Sequence, residues 1–159
     1  MMLRKVLVSI FYIICLHSSY AMARDVFAGD WYSCRLDSDF RHDVIHIDRR
    51  GSDYEILREY GGSYSYSGHG VLKNNTLRFL GCSYFRDEAM DGCNPKQPTQ
   101  QFNLKKSLLK RDVKNLEVSL KNSEWIQINK STSFELVTGE CERLSQQKYF
   151  DKYGWPKKF

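Results

Sequence analysis

Alternation of apolar and polar residues dominates the chain from residue 27 onward and predicts β-strands. The clearest case is a strand over residues 64–72, a turn at Lys73-Asn74-Asn75 and a return strand over residues 76–85. Asn tolerates the positive φ of a tight turn, so this pattern predicts a β-hairpin. The same alternation predicts further strands over residues 27–36, 43–49, 54–60 and 101–105.

Three later runs continue the pattern, and a short helix follows them. Leu116, Val118 and Leu120 alternate with polar residues, which is typical of a half-buried strand. Further strands are predicted over residues 124–129 and 134–144, and a short helix over residues 145–153. About eight strands at short spacing predict an all-β fold, an antiparallel barrel or sandwich with a short C-terminal helix. Closure into a barrel would remove both unpaired sheet edges and bring the first and last strands together.

The first 23 residues have a different character. Arg4 and Lys5 precede an apolar run over residues 6–16, and Ala21-Met22-Ala23 forms a small-x-small cleavage site. This combination predicts a secretory signal peptide. A membrane-spanning helix needs about 20 apolar residues, so the run is too short to be one. We therefore expect an exported protein, periplasmic or secreted, with residues 24–159 as a single domain and no transmembrane segment after processing.

Length and charge narrow the class of protein. The chain has 159 residues, about the size of one domain. Its formal charge is +5, and removal of Arg4 and Lys5 with the signal peptide lowers this value to +3. A dedicated nucleic-acid binder would show a dense cationic stripe, so no nucleic-acid partner is expected.

The cysteine count predicts two disulfides. Processing removes Cys15 and leaves Cys34, Cys82, Cys93 and Cys141, an even number in an exported chain, for which three connectivities exist. Spacing favours Cys82–Cys93, across a polar loop, and Cys34–Cys141, between the two ends of the domain. Structural zinc prefers cysteines two to four residues apart, so these spacings predict no zinc site, and no cofactor is expected.

The start of the mature chain carries a family resemblance. Phe27-Ala28-Gly29-Asp30-Trp31 resembles the F-x-G-x-W opening of the calycins, the barrels of lipocalin and fatty-acid-binding type. The resemblance implies structural roles for Gly29 and Trp31, with Trp31 at the closed barrel end against a basic residue, for which Arg143 is the candidate. The chain is also similar to bacterial lysozyme-inhibitor barrels, which are exported, small and joined by a terminal disulfide.

One string has the composition of a metal site. His42-Asp43-Val44-Ile45-His46 resembles H-E-x-x-H, in which two histidines on one face of a helix bind zinc. Here the string lies in a predicted strand, so a zinc-dependent hydrolase using His42 and His46 is only a remote alternative. The chain contains no G-x-S-x-G elbow for a serine nucleophile, and no catalytic residue is predicted. We therefore expect a protein that is not an enzyme.

A binding surface is the remaining candidate for function. Tyrosine offers a large, stiff contact area with a polar tip, and charged loops on a rigid scaffold are common recognition elements. The residues with these properties are Tyr64, Tyr66, His69, Asp87, Glu88 and Asp91. Tyr64 and Tyr66 share one strand face, and the alternative for this pair is packing in the interior of the barrel.

Two functions follow from this expectation. The first is an inhibitor or immunity-type protein that recognises a protein partner through loops on a barrel. The alternative is a carrier of a small apolar ligand inside a calycin-like barrel. Asn74 and Asn129 match the N-glycosylation sequon and lie in predicted turns, which would suit glycans in a eukaryotic protein.

Overall fold

A computed structural model describes residues 25–36 and 42–154. The predicted signal peptide over residues 1–23 lies outside the described residues. The elements of the described part are β1 Gly29–Cys34, β2 His42–Arg50, β3 Asp53–Tyr60, β4 Tyr64–Lys73, β5 Thr76–Phe85, β6 Glu88–Ala89, β7 Gln100–Lys105, β8 Leu109–Lys110, α1 Leu116–Lys121, β9 Trp125–Gln127 and α2 Phe134–Tyr153. Two 3₁₀ turns, Met90–Gly92 and Lys106–Leu108, precede β7 and β8.

All nine strands belong to one sheet. Strands β1 to β5 form an antiparallel meander, and the full order is β6-β5-β4-β3-β2-β1-β9-β8. Strand β7 pairs with β5 beside β6, along residues 76–81 of β5. The predicted β4–β5 hairpin is confirmed: Lys73 pairs with Thr76, and Asn74 and Asn75 have φ of 50° and 58°. The prediction of a β-rich fold is therefore confirmed.

The sheet curls strongly but is not closed. Strands β7 and β8 stand at opposite ends of the strand order, yet only Lys106–Leu108 separate them along the chain. Three linking residues reach at most about 14 Å, so the two ends of the sheet approach each other. Within the described residues no strand pair joins these ends. The prediction of a purely antiparallel sheet is wrong, because β8 and β9 are parallel.

Large side chains fill the inner face of the curled sheet. Alternate residues of each strand point to one side, so Ile45 and Ile47 of β2 enter the same core as Tyr54 and Ile56 of β3. The other buried members of this inner core are Phe27, Trp31, Tyr66, Leu77, Phe79, Leu104 and Trp125. Every long strand contributes to it, which makes the interior a packed core.

The region predicted as a half-buried strand over residues 116–120 is helix α1. The Asn115 side chain accepts a hydrogen bond from the Val118 backbone N–H at 3.1 Å and caps the helix N-terminus. Leu116 and Leu120 are one turn apart and pack inward, whereas Val118 is 51% exposed. Alternation over only five residues is compatible with the two-residue period of a strand and with one turn of a helix. The capping residue Asn115 is the signal that distinguishes the two.

The predicted last strand, residues 134–144, is also helical. It forms the first half of α2, which runs without interruption to Tyr153. Val137, Cys141 and Leu144 are buried at a spacing of four and three residues, the periodicity of a helix face. This face packs on the outer side of the sheet against Tyr32 and Ile126, forming a second core.

Both predicted disulfides are confirmed. Cys34–Cys141 joins β1 to α2 across 107 residues, so it fastens a helix to the sheet and does not join two neighbouring strands. Cys82–Cys93 joins β5 to the segment before β7 across 11 residues. Structural disulfides persist in non-reducing compartments. None of the described helices is long and apolar enough to cross a bilayer.

Candidate functional site

The predicted binding residues are divided between the two faces of the sheet. Tyr64 and Tyr66 share the inner face of β4, whereas His69 lies on the outer face, as period two requires. Tyr66 is 5% exposed in the inner core, and its hydroxyl donates to the Gln100 carbonyl oxygen at 3.3 Å. Burial raises the pKa of Tyr66 to about 12. Tyr66 is thus a core residue, and only His69 of these three faces the outer surface.

The charged members of the prediction lie beyond β5. Arg86 and Asp87 have φ of 48° and 68° and form a two-residue turn that places Glu88 opposite Phe85. Asp87 and Glu88 are exposed on this hairpin. Asp91 follows in the 3₁₀ turn. These acidic residues belong to the loop over residues 86–99, which continues to the Cys82–Cys93 disulfide.

That loop creates the main cavity on the outer face, here called the loop hollow. Two adjoining cavities of about 290 and 700 Å³ open where Pro95 and Pro98 lie over β4 and β5. Both are lined by His69, Leu80 and the two prolines. The disulfide attaches the loop to β5, which holds the prolines over the sheet.

Two glycines shape the floor of the loop hollow. Gly68 of β4 pairs directly with Gly81 of β5. A Cβ on Gly68 would lie 2.7 Å from the Leu80 carbonyl oxygen, and one on Gly81 would overlap the Ser67 carbonyl oxygen. The strands therefore approach too closely for any larger residue, and the backbone of both glycines lines the floor of the loop hollow.

The loop hollow combines apolar walls with a charged border. Val71 and Leu80, which both line it, are 55% and 41% exposed. On its β3 side, the Glu55 carboxylate lies 2.9 Å from Arg50 Nε and 3.9 Å from His69 Nδ1. This arrangement suits contact with a protein surface.

A second cavity, here called the acidic groove, lies on the outer face near β1, β2 and the start of α2. Its volume is about 390 Å³. Its lining includes Asp30, His42, Val44, His46, Glu59 and Phe134. His46 Nδ1 lies 2.8 Å from Asp30 Oδ1.

The histidines of the groove do not have the geometry of a zinc motif. His42 and His46 stand four residues apart on strand β2, a separation of about 13 Å along an extended chain. Asp43, at the position of the catalytic Glu in H-E-x-x-H, points to the other face and accepts two hydrogen bonds from Arg58, at 2.8 and 2.6 Å. Among the described residues no three His, Cys, Asp or Glu side chains are arranged to hold a metal ion.

Trp31 does contact a basic residue, but not the predicted one. The Arg111 guanidinium lies over the Trp31 ring at 5.4 Å, and the indole N–H donates to the Phe27 carbonyl oxygen at 2.7 Å. Arg143 instead lies on α2 and donates hydrogen bonds to Glu140 and Glu117. Arg111 directly follows β8.

Arg111 also organises the chain that leads into β1. Its guanidinium donates to the backbone carbonyl oxygens of Asp25, Val26 and Ala28. No short motif in the sequence links residues 86 positions apart, so this contact could not be predicted.

The Asp25 side chain also stabilises the segment before β1, close to the Arg111 contacts. Its carboxylate accepts hydrogen bonds from the Tyr54 hydroxyl at 2.7 Å and the Phe27 N–H at 2.8 Å, and it pairs with Arg49 at 3.1 Å. Burial alone would raise the pKa of Asp25, but these bonds and the Arg49 charge outweigh it and lower the pKa below its ordinary value. The ionised carboxylate thus stabilises the entry into β1.

Comparison with protein families, curated proteins and solved structures finds no match for this chain.

Proposed function

We propose that this chain is an exported, non-enzymatic binding protein that recognises a protein partner, as an inhibitor or immunity-type protein does. The observation that carries the proposal is the loop hollow on the outer sheet face. Its lining combines the exposed apolar side chains of Val71 and Leu80 with charged residues such as Arg78 and Lys96. Protein interfaces commonly combine apolar and polar surface in this way.

The tether of the loop supports a recognition role. Association costs free energy when a flexible loop must be ordered, and a preformed loop avoids much of this cost. Cys82–Cys93 closes an 11-residue separation and holds Pro95 and Pro98 over the sheet before any partner arrives. Asp87 and Glu88 are exposed on the adjoining β5–β6 hairpin.

The packing of the inner core disfavours the alternative of a small apolar ligand carrier. Such a carrier needs an internal cavity, which small inward-facing residues would leave. Here Trp31, Tyr66 and Phe79 occupy the inner face and are at most 5% exposed.

A matched pair of variants tests the proposal. Leu80→Glu places a charge in the loop hollow, and Val118→Glu places the same charge on α1, at a comparably exposed position. The purified protein and both variants serve as bait in periplasmic extract or culture fluid, followed by cross-linking and mass spectrometry. We expect one stoichiometric protein partner with the wild-type chain and Val118→Glu, and at least tenfold less with Leu80→Glu.

Two results would count against the proposal. Equal recovery of the partner by Leu80→Glu and Val118→Glu would show that the loop hollow does not contact the partner. Recovery of a bound lipid from the native protein, with no protein partner, would favour the carrier. Thermal unfolding of both variants controls for loss of the fold.

A further inference from the structure

We infer that the acidic groove receives an arginine or lysine side chain of the protein partner. The inference rests on the proposed function, because it assigns the chemistry of a second part of the same interface. Its observations are separate from those of the loop hollow: the charges, the walls and the position of the groove.

The charges around the groove favour a cation. The described lining includes the carboxylates of Asp30 and Glu59 and no Lys or Arg. Asp30 Oδ1 lies 2.8 Å from His46 Nδ1, so Glu59 is the carboxylate without a basic side chain beside it in the lining. This is a local reversal of sign on a chain whose formal charge is +5. Helix α2 directs its positive N-terminal end toward this region, but Glu135 in the first turn opposes that partial charge.

The walls of the groove fit the shape of a long basic side chain. Val44 and Phe134 supply apolar surface for an aliphatic stem, and Phe134 is 46% exposed. The carboxylates lie on the neighbouring strands β1 and β3, on either side of β2. Lysine and arginine combine an apolar stem with a charged end, so a side chain of this kind satisfies both parts of the groove.

The groove and the loop hollow lie on one continuous surface. On the outer face of β3, Glu55 lines the loop hollow, Glu59 lines the acidic groove, and Leu57 lies between them with 40% exposure. Four residues of strand separate the two glutamates by about 13 Å. A standard interface covers about 800 Å² on each partner, roughly 30 Å across, so one protein can contact both cavities.

A peptide titration tests the inference without the partner. The probe is N-acetyl-Gly-Arg-Gly-amide, added to the ¹⁵N-labelled protein at constant low ionic strength and followed by amide chemical shifts. We expect saturable shifts confined to residues around Asp30, His46, Glu59 and Phe134. Because an exposed ion pair contributes up to about 1 kcal/mol, Glu59→Gln should weaken binding by up to about fivefold, and Asp30→Asn with Glu59→Gln more strongly.

Two controls decide the outcome. Asp151→Asn removes one exposed carboxylate near the C-terminal end of α2, far from Phe134, and should leave the affinity unchanged. A peptide with norleucine in place of arginine keeps the stem, lacks the charge and should bind at least fivefold more weakly. Equal weakening by Glu59→Gln and Asp151→Asn, or equal binding of both peptides, would overturn the inference. Since no partner is used, this failure is distinct from loss of the interface at Leu80.

Discussion

Gly81→Ala is expected to be among the most destabilising small substitutions in the sheet. The added Cβ would overlap the Ser67 carbonyl oxygen and lie 2.7 Å from the Gly68 Cα. Both atoms belong to the backbone of β4, so no side chain can rotate away. Strands β4 and β5 must then separate by about 1 Å to restore ordinary contact distances, in the middle of a ten-residue ladder.

The magnitude follows from two costs. Overpacking a well-packed site costs about 1–3 kcal/mol, and each weakened backbone hydrogen bond adds about 1 kcal/mol. With one such bond weakened, we expect Gly81→Ala to lower the free energy of unfolding by about 2–4 kcal/mol, a large share of a typical stability of about 5–15 kcal/mol. Because Gly81 forms the floor of the loop hollow, the strand displacement should also weaken capture of a protein partner.

Gly139→Ala is the matched control. Gly139 lies inside α2, and a Cβ there would meet no atom within 4 Å. Alanine is favoured over glycine in a helix interior by about 1 kcal/mol, so this variant should be more stable than the wild type. Urea unfolding followed by the fluorescence of buried Trp31 and Trp125 measures both changes. A loss below about 1 kcal/mol in Gly81→Ala would refute the close approach of the strands.

Three further predictions concern the disulfide, the hydrogen bonds and the ion pair that stabilise the fold. Replacing Cys34 and Cys141 by alanine should lower the free energy of unfolding by about 4.8 kcal/mol, the value that the loop-entropy relation gives for a separation of 107 residues. A loss below about 2 kcal/mol, measured by urea unfolding, would contradict this expectation. Arg111→Ala should lower the free energy of unfolding by about 2–3 kcal/mol. Arg111→Lys should restore less than half of this loss, since lysine lacks the several N–H donors of the guanidinium. Full restoration by lysine would show that the positive charge alone is sufficient. Asp25→Asn should lower the free energy of unfolding at about pH 7. This difference from the wild type should shrink below about pH 4, because a carboxylate with a lowered pKa contributes stability that is lost as the pH falls through that pKa. A difference that stays constant with pH would contradict the ion pair.

The strands of the meander could be predicted from local pattern. Residues 64–72 and 76–85 alternate in polarity and are separated by two asparagines, so one short stretch contains both the strands and the turn. The predicted C-terminal helix over residues 145–153 is confirmed as the second half of α2, but α1 and the first half of α2 were predicted as strands because their local signal was mixed. Leu116, Val118 and Leu120 satisfy period two, but in the folded chain Leu120 is buried and Val118 is exposed by the rotation of a helix.

The candidate site was predictable only in part. His69 and the loop over residues 86–99 were identified by composition, and the cysteine spacing correctly predicted the loop tether. Tyr64 and Tyr66 were grouped with His69, although period two directs them to the opposite face. The acidic groove could not be predicted, because Asp30 and Glu59 come from separate strands on either side of β2 and line one cavity only through the register of β1, β2 and β3.

The sequence distances spanned by the two cross-links impose an order on oxidation. As the polypeptide is delivered residue by residue from its N-terminus, Cys34 is followed by 106 residues before its partner Cys141 arrives, whereas Cys82 meets Cys93 only 11 positions later. During that interval the Cys34 thiolate can attack either sulfur of the Cys82–Cys93 disulfide through thiol–disulfide exchange. Correct maturation therefore depends on rapid folding of the β4–β5 hairpin, which shields Cys82, or on an isomerase that reverses mispaired intermediates.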